Sequence, residues 1–573
     1  MKDTFPLQAG SPAGRRLRRL PANLGFWLIP LLFLLVFFYQ PLARILAQAV
    51  QGLTSRGLGI SPWESISRPL SFTLLQSSVS MLLTFLVGLP LAALFARYSF
   101  PAKEFLRALL TLPFILPAVV VAAAFNALIG PRGLLNVLLM QAFALQLPPI
   151  TLIGTFWGII LAHVFYNTAI VLRVVGTAWE SLDPHMEQAA RVLGASPVKT
   201  LLHVTLPLLR PSILAAALLV FLFDFTSFGV ILLLGGPQFA TLEVAIYTQA
   251  LSLLNLPLAG VLSFVQLAFT LGLAVVYRRV VPAEPSFLTP HLSDEGQHEL
   301  RKAPQRAWAL PLLLLALLFF AAPLLALLLR SLVQLEPARA QAGGFQPVWT
   351  LAFYQELSVN RFQSLFYIPP IEAVRNSLLY AAQTVIIAVP LGLLGAYAER
   401  RRDRLSSWLS PWMMLPLGSS AVTLGLGFIL TFNRPPLDAR SFPLMIPIAH
   451  SLVAFPFVLR ILQPALAAIP PHFGQAAAVL GASPAKVWWH VERPLLARPL
   501  AVSALYAFSI SLGEFGATTF LARPDRPTIP IAIYRFLSQP GALNYGQGLA
   551  MAVILMAVCL ISMLLLQRLG AWR

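Results

Sequence analysis

The sequence predicts an all-α polytopic membrane protein built from two parallel repeats of six transmembrane helices. The 573 residues are 58% hydrophobic and 11% charged, which is too apolar for a soluble protein of this length. Several apolar stretches exceed the ~18 residues that a helix needs to cross a bilayer. One block of sequence also recurs at a constant offset of 287 positions (481 − 194). A transmembrane β-barrel would show short alternating segments instead.

The hydropathy pattern predicts twelve spans, six on each side of a polar, proline-containing linker. An even number of spans per repeat keeps both repeats in the same orientation. The predicted spans lie near 25–48, 72–97, 106–130, 150–175, 212–234, 258–280, 309–333, 375–398, 406–432, 441–463, 499–521 and 547–569.

The basic residues predict which side of the membrane each turn occupies. Lys and Arg cluster at 15–19, 97–107, 278–306, 401–404 and 568–573, and all five clusters fall on one side of the predicted membrane. Basic residues accumulate in cytoplasmic loops, so we expect both termini in the cytoplasm of a bacterial cell, with the chain multi-pass in the plasma membrane. The same rule accounts for the formal charge of +19. We therefore expect the basic residues to lie next to membrane lipid, and we expect no nucleic-acid partner.

These boundaries predict four segments. A cytoplasmic N-terminal segment covers 1–24, a first transmembrane domain covers 25–280, a cytoplasmic linker covers 281–308, and a second transmembrane domain covers 309–573. The outer segment 334–374 contains several aromatic residues and is interpreted as interfacial amphipathic structure.

The sequence recurs most closely in two cytoplasmic loops, at about 183–211 and 470–498, named here the first and second repeated loops. Each is predicted to form two short helices separated by a sharp turn. Asp183 is predicted to cap the first helix of the first loop. Gly194 and Gly481 are predicted to end the first helix of each loop in the left-handed conformation, and Ser196 and Ser483 to cap the second. A short helix held by caps and lined with alanine is suited to docking on another protein.

Ionisable groups inside spans are costly, and they are functional candidates or buried partners by default. Asp224 and Glu514 lie in the fifth and eleventh predicted spans, close to a Phe-Gly step in each half. They either line a pathway between the halves or bond packed helices together. Further pathway candidates are Asn167 and the repeated tyrosines Tyr247 and Tyr534. The repeated His163 and His450 are typical of hydrogen bonds between helices.

The repeated loops carry a motif that resembles a known family. Its residues are Glu187, Gln188, Ala189, Ala190 and Gly194 in the first loop, and Gln475, Ala476, Ala477 and Gly481 in the second. They resemble the Glu-Ala-Ala loop of ATP-binding-cassette (ABC) importer permeases of the type I architecture. Two such loops in one chain resemble the fused permeases of thiamine and ferric-iron importers. The resemblance implies that each loop docks on an ABC ATPase subunit, in two copies, and that an extracytoplasmic solute-binding protein delivers the solute.

The two motifs depart from the family pattern, since Gln replaces Glu at both starts. Glu187 precedes the first motif, whereas Gly474 holds the matching place in the second. The sequence therefore predicts that the two contacts with the ATPase subunits differ.

The chain lacks the patterns of an enzyme. No G-x-x-x-x-G-K-[ST] phosphate loop occurs, and Cys559 is the single cysteine. We expect no catalytic residue, cofactor or metal in this chain, so the ATP must be hydrolysed on a separate chain.

The solute is predicted less sharply than the class of transporter. Segments such as 161–165, 234–238 with 243–247, and 511–516 resemble the thiamine permeases, and thiamine is favoured over ferric iron. An ion-driven secondary transporter shares the architecture of twelve spans, but it predicts no paired, capped loops and no ATPase. A membrane-embedded enzyme would need a clustered His or Asp motif.

Overall fold

The computed structural model describes residues 24–54, 62–236, 238–280, 298–300, 303–337, 345–359, 368–400 and 404–571. The arginines at 15–19 and most of the predicted linker lie outside the described residues, as do Arg401 and Arg402.

The first half is helical almost throughout its described residues. Its helices are α1 (Leu24–Leu34), α2 (Gln40–Thr54), α3 (Pro62–Arg97), α4 (Lys103–Thr111), α5 (Ala118–Ile129), α6 (Leu134–Phe143), α7 (Phe156–Val171), α8 (Thr177–Glu180), α9 (Pro184–Val192), α10 (Pro197–Thr200), α11 (Leu206–Phe225), α12 (Gly229–Leu234), α13 (Leu242–Tyr247) and α14 (Leu256–Val280). Several of these join through single π-helical turns, at Leu35–Tyr39, Leu172–Gly176, Leu201–Thr205 and Thr248–Ser252. A 3₁₀ turn covers Leu112–Phe114.

The second half repeats this order. Its helices are α15 (Ala303–Ser331), α16 (Ala352–Gln355), α17 (Pro370–Glu399), α18 (Arg404–Met414), α19 (Ala421–Thr431), α20 (Met445–Ala467), α21 (Pro471–Val479), α22 (Pro484–Val487), α23 (Arg493–Gly513), α24 (Gly516–Leu521), α25 (Ile529–Leu537) and α26 (Ala542–Ala571). A π-helical turn at Trp488–Glu492 joins α22 to α23, and 3₁₀ turns cover Glu356–Ser358 and Leu415–Gly418.

The described residues form three two-stranded sheets. β1 (Tyr98–Ser99) pairs in parallel with β2 (His298–Glu299), and β5 (Asn433–Arg434) pairs antiparallel with β6 (Leu437–Asp438). β3 (Val333–Pro337) pairs antiparallel with β4 (Phe345–Trp349). The outer segment predicted as interfacial amphipathic structure thus holds a hairpin and the short helix α16, which packs on α26.

Eleven helices of the described chain are long and apolar enough to cross a membrane, and a bent pair makes up to twelve. The polytopic all-α prediction is confirmed. Two predicted spans are interrupted by a 3₁₀ turn: 406–432 bends by 99° between α18 and α19, and 106–130 is divided among α4, a 3₁₀ turn and α5. Pro113 and Pro416 lie in the 3₁₀ turns, and proline within a helix removes a backbone hydrogen bond.

The predicted spans at 212–234 and 499–521 are displaced along the chain. The helices that can cross the membrane here run over Pro197–Phe225 and Pro484–Gly513, so each begins inside a repeated loop. Each long helix ends before the Phe-Gly step, and the short helices α12 and α24 follow it. The second helix of each loop is therefore the start of a membrane helix rather than a separate element.

The two halves interlock. α15 of the second half packs on α5 of the first, while α1 and α2 of the first half pack on α17 and α19 of the second. α5 also contacts α25 and α26, while α19 contacts α13 and is hydrogen-bonded to α14 through Thr423 and Gln266. We call the boundary formed by these packings the seam. α5 and α19 lie on the seam at equivalent positions of the two halves. Any movement of one half against the other would therefore change the contacts of both helices.

Candidate functional site

The first repeated loop is rigid because its ends are capped. Asp183 accepts a 2.9 Å hydrogen bond from the backbone N–H of His185 at the start of α9. Gly194 takes a φ of +86° after the helix, in the region that favours glycine. Ser196 then accepts a hydrogen bond from the N–H of Lys199 at 3.3 Å. The predicted caps and turn are confirmed.

The second repeated loop has the same turn and one different cap. Gly481 has a φ of +82°, and Ser483 accepts from the N–H of Lys486 at 3.5 Å. The position that caps α21 is Pro470, and it makes no side-chain cap hydrogen bond.

Both loops expose the same positions. Val192 and Leu193 are each 87% exposed, and so are their repeat equivalents Val479 and Leu480. The other residues of the predicted motif match in pairs, with Gln188, Ala189, Gly194, Gln475, Ala476 and Gly481 exposed and Ala190 and Ala477 half-buried. Two identical exposed apolar pairs, each on a rigid turn, are typical of a surface that another protein covers.

Glu187 is turned toward its own chain. Its Oε1 accepts a hydrogen bond from Arg97 at 2.6 Å and another from the Thr205 hydroxyl at 2.6 Å. The Arg97 guanidinium also lies 5.3 Å from the ring centre of Trp179. Glu187 therefore ties the loop helix α9 to the end of α3.

The second half makes a similar cluster with a different carboxylate. Arg400, at the end of α17, donates to Glu492 Oε1 at 2.6 Å, and the Tyr397 hydroxyl also donates to Glu492. Glu492 occupies the place of Thr205, since 492 − 205 is 287. Gly474 stands where the first half has Glu187, so this cluster does not include α21. The sequence analysis assigned Arg97 only a topological role. Its offset from Arg400 is 303 (400 − 97), the same as between Leu112-Pro113 and Leu415-Pro416.

An aromatic cluster lies on the seam. The rings of Phe228 and Phe515, which are repeat equivalents, stack with centres 5.4 Å apart. Tyr247 packs on Phe228 at 5.5 Å and Tyr534 packs on Phe515 at 5.7 Å. The predicted Tyr247 and Tyr534 thus flank the stacked phenylalanines at the seam, one from each half, and the cluster closes the space between the halves.

Asp224 and Asn167 lie within the helix packing of the first half. Asn167 donates to Asp224 Oδ1 at 2.6 Å, and the same oxygen lies 3.4 Å from His163 Nδ1. Nε2 of His163 lies 2.8 Å from the Ser227 hydroxyl. Asp224 is 1% exposed. Its second oxygen has no hydrogen-bond partner among the described residues.

Glu514 lies in the matching cluster of the second half. Its carboxylate accepts from the backbone N–H of Ala517 at 2.8 Å and of Thr518 at 3.0 Å. Nε2 of His450 lies 3.1 Å away, while Nδ1 of His450 lies 2.7 Å from the Ser511 hydroxyl. Each histidine therefore has the carboxylate on one ring nitrogen and, on the other, the serine that is the repeat equivalent of the other half's carboxylate, and the two halves place them on opposite nitrogens.

Glu243 is a site residue that the sequence interpretation did not single out. It lies in the first turn of α13 with 0% exposure and accepts a hydrogen bond from Ser420 of the second half at 2.9 Å. The signal was present in the sequence, because Glu243 is the only acidic residue between Asp224 and Glu284. Among the described residues, no group of three or more His, Cys, Asp or Glu side chains is placed to hold a metal.

Comparison with known proteins places the chain among transport proteins. The model of the family described as binding-protein-dependent transport system inner membrane component matches residues 88–283 and 388–572, once in each half. The thiamine transport system permease protein ThiP of Brucella abortus (strain 2308) is 28% identical over 513 residues, covering 88% of this chain and 87% of its own length. ThiP of Escherichia coli (strain K12) is 29% identical over 509 residues, covering 87% of this chain and 88% of its own length.

Two further proteins are similar to one half. The putative 2-aminoethylphosphonate transport system permease protein PhnU of Salmonella typhimurium is 28% identical over 257 residues, covering 44% of this chain and 90% of its own length. A chain of a bacterial ABC transporter involved in the import of alginate matches with 20% identity and a TM-score of 0.37, covering 45% of this chain and 96% of that chain. Because the family model matches most of both halves, the chain belongs to the binding-protein-dependent transport system inner membrane components, as a multi-pass ABC importer permease with two copies of the domain in one chain.

Proposed function

We propose that this permease forms the membrane pathway of an ATP-driven thiamine importer, receiving its solute from an extracytoplasmic binding protein. The observation that carries the proposal is the similarity to thiamine permeases over 88% of the chain. The aromatic cluster at the seam supports it, since flat rings stack well on an aromatic cation. Thiamine is such a cation.

The energy comes from ABC ATPase subunits, and we propose that the two repeated loops are where they dock. The chain has no phosphate loop of its own. The exposed pairs Val192–Leu193 and Val479–Leu480, on capped turns, supply two equivalent docking positions. A rigid loop transmits force because it moves as a unit.

The proposed orientation follows the basic clusters, with both termini and both repeated loops in the cytoplasm. The segment boundaries at 24, 280 and 308 belong to the same proposal. With the loops inside, the outer face is free for the binding protein.

The proposed pathway opens at the seam. Tyr247 and Tyr534 line it in this proposal, because both lie in the aromatic cluster that closes the space between the halves. Asp224, Asn167 and Glu514 lie on either side of it and hold the flanking helices through His163 and His450. ATP-driven movement of the loops would then separate the stacked rings.

Uptake by vesicles that contain the permease, its ATPase and its binding protein tests the proposal. We expect thiamine to accumulate only when ATP is present on the cytoplasmic side. Accumulation of ferric iron without thiamine would instead support the alternative importer. Thiamine uptake driven by an ion gradient in the absence of ATP would indicate a secondary transporter.

A further inference from the structure

Glu243 lies on the seam, where it bonds to both halves at once. It accepts a hydrogen bond from the Gln266 side-chain amide of its own half and from the Ser420 hydroxyl of the other half. Gln266 in turn accepts from Thr423 of the second half at 3.0 Å. The carboxyl group is therefore held by a polar bridge across the boundary that must open during transport.

The bridge contains no positive charge. Among the described residues, no Lys, Arg or His lies within 4.0 Å of the Glu243 carboxyl. Asp224 and Glu514, by contrast, each lie beside a histidine. Taking a carboxylate out of water without a cationic partner is energetically costly. An ionisable residue kept at such a position inside a membrane protein is a functional candidate by default.

The neighbours of Glu243 supply the rest of a solute site. Tyr247 follows it by four residues, about one helical turn later, so both lie on one side of α13. Tyr247 contacts Phe228 at 5.5 Å and Phe520 at 6.2 Å between ring centres. A carboxylate one turn from clustered aromatic rings is the combination that binds an organic cation.

We propose that Glu243 is the anionic group of the solute site, and that it takes the cationic ring of the solute when the halves separate. The inference rests on the proposed import of thiamine and deepens it. In the described conformation the neutral donors Gln266 and Ser420 occupy the carboxyl group. Separation of the halves removes the Ser420 donor, and the solute cation replaces it.

The test is uptake by vesicles holding the full complex, with thiamine and with a neutral analogue in which a thiophene replaces the thiazolium ring. Both are offered at saturating binding protein, and their uptake rates are expressed as a ratio. We expect Glu243→Gln to lower the ratio of thiamine to neutral analogue about tenfold, because a charge-assisted contact is lost. Glu243→Asp keeps the charge but withdraws it by one methylene group, so it is expected to lower the same ratio by a smaller factor, about threefold.

Three outcomes are decisive. If Glu243→Gln lowers both rates by the same factor, or neither, the residue has only a structural role and the inference is overturned. If that variant fails to assemble, Glu243→Asp decides alone: a ratio unchanged while both rates fall equally overturns the inference, and a selective fall of thiamine uptake supports it. If the native complex takes up no thiamine, the proposed function itself is wrong. If the native complex takes up thiamine but the variants leave its selectivity unchanged, only the inference about Glu243 is wrong.

Discussion

In the first half, Arg97 at the end of α3 bonds to Glu187 on the loop helix α9; in the second, Arg400 at the end of α17 bonds to Glu492, which follows the loop helix α21. Both arginines thus have a carboxylate partner at 2.6 Å. Only the first cluster ties the loop helix itself to the membrane helices. Both halves therefore have the ion pair, but its acid lies on the loop helix α9 in the first half and in the π-helical turn that precedes α23 in the second.

The histidine clusters differ in the same manner. Asp224 corresponds to Ser511 and Ser227 to Glu514 under the 287-residue offset, so the acid and the serine have exchanged places around the repeated histidine. A chain that duplicates a buried polar cluster keeps its donors matched to acceptors, since an unpaired buried group costs about 1–3 kcal/mol. The contact is conserved between the halves, while the position that supplies it is not.

The largest expected difference between the halves comes from the buried acids. Glu514 accepts two backbone N–H bonds in addition to its histidine contact, whereas Asp224 accepts one amide bond and has an oxygen without a partner among the described residues. We expect Glu514→Ala to destabilise the purified permease by about 1–3 kcal/mol more than Asp224→Ala, because it leaves buried donors unpaired. The midpoint of thermal unfolding in detergent measures this.

Ser503→Ala serves as the control for that comparison, because its buried hydroxyl has no partner among the described residues and its loss should change little. Equal midpoints for the two acid variants would contradict the asymmetry between the clusters.

The loop turns provide a second comparison, in which the halves should behave alike. Gly194 and Gly481 both have positive φ, and nothing lies within 4 Å of an added Cβ at either. An alanine at either position would therefore strain the backbone without causing a steric clash. We expect Gly194→Ala and Gly481→Ala to strain each turn by about 1–2 kcal/mol and to lower ATP-driven uptake to a similar extent. Asparagine, which tolerates this conformation, is expected to restore uptake. Loss of uptake from one half only would show that the loops are not equivalent docking positions.

The smallest expected effect concerns the ion pairs near the loops. Glu187→Gln should destabilise α9 by about 0.2–1 kcal/mol, the range measured for surface ion pairs, and hydrogen exchange in 184–192 should rise. Glu492→Gln should leave exchange in 471–479 unchanged, because Glu492 does not lie on α21.

Glu104→Gln is the matched control for these two variants. Glu104 is 80% exposed and 3.9 Å from Arg107, and its change should alter neither segment. Faster exchange of both loop helices in both variants would contradict this difference, because it would mean that each ion pair holds the loop helices of both halves.

Much of this arrangement could be predicted from the sequence, because caps and turns are local. Asp183, Gly194 and Ser196 act on backbone groups within a few residues, so their spacing alone predicted the loop. The breaks in the spans were harder, since proline is also common in unbroken membrane helices. Nothing in the sequence around Pro113 and Pro416 showed that these two prolines lie at breaks rather than within continuous helices.

The long-range pairs could not be predicted in the same way. The partner of Glu187 comes from α3, which follows a different repeat offset from the loops, and Glu243 meets Ser420 across 177 positions. Only the packing of the halves brings such groups together. Asp224 and Glu514 were correctly located in the sequence as acids near the Phe-Gly steps, but their histidine partners required the fold.

Cross-linking of the repeated loops to the ATPase tests the central claim most directly. The chain's single cysteine, Cys559, is buried, so Val192→Cys and Val479→Cys each place one accessible thiol on a loop. We predict that both variants form a cross-link to an ATPase subunit in the assembled complex, and that a cysteine at Leu147, exposed on a different loop, forms none. Absence of a cross-link from either repeated loop, in a complex that still contains both ATPase copies, would contradict the account of two docking loops in one chain.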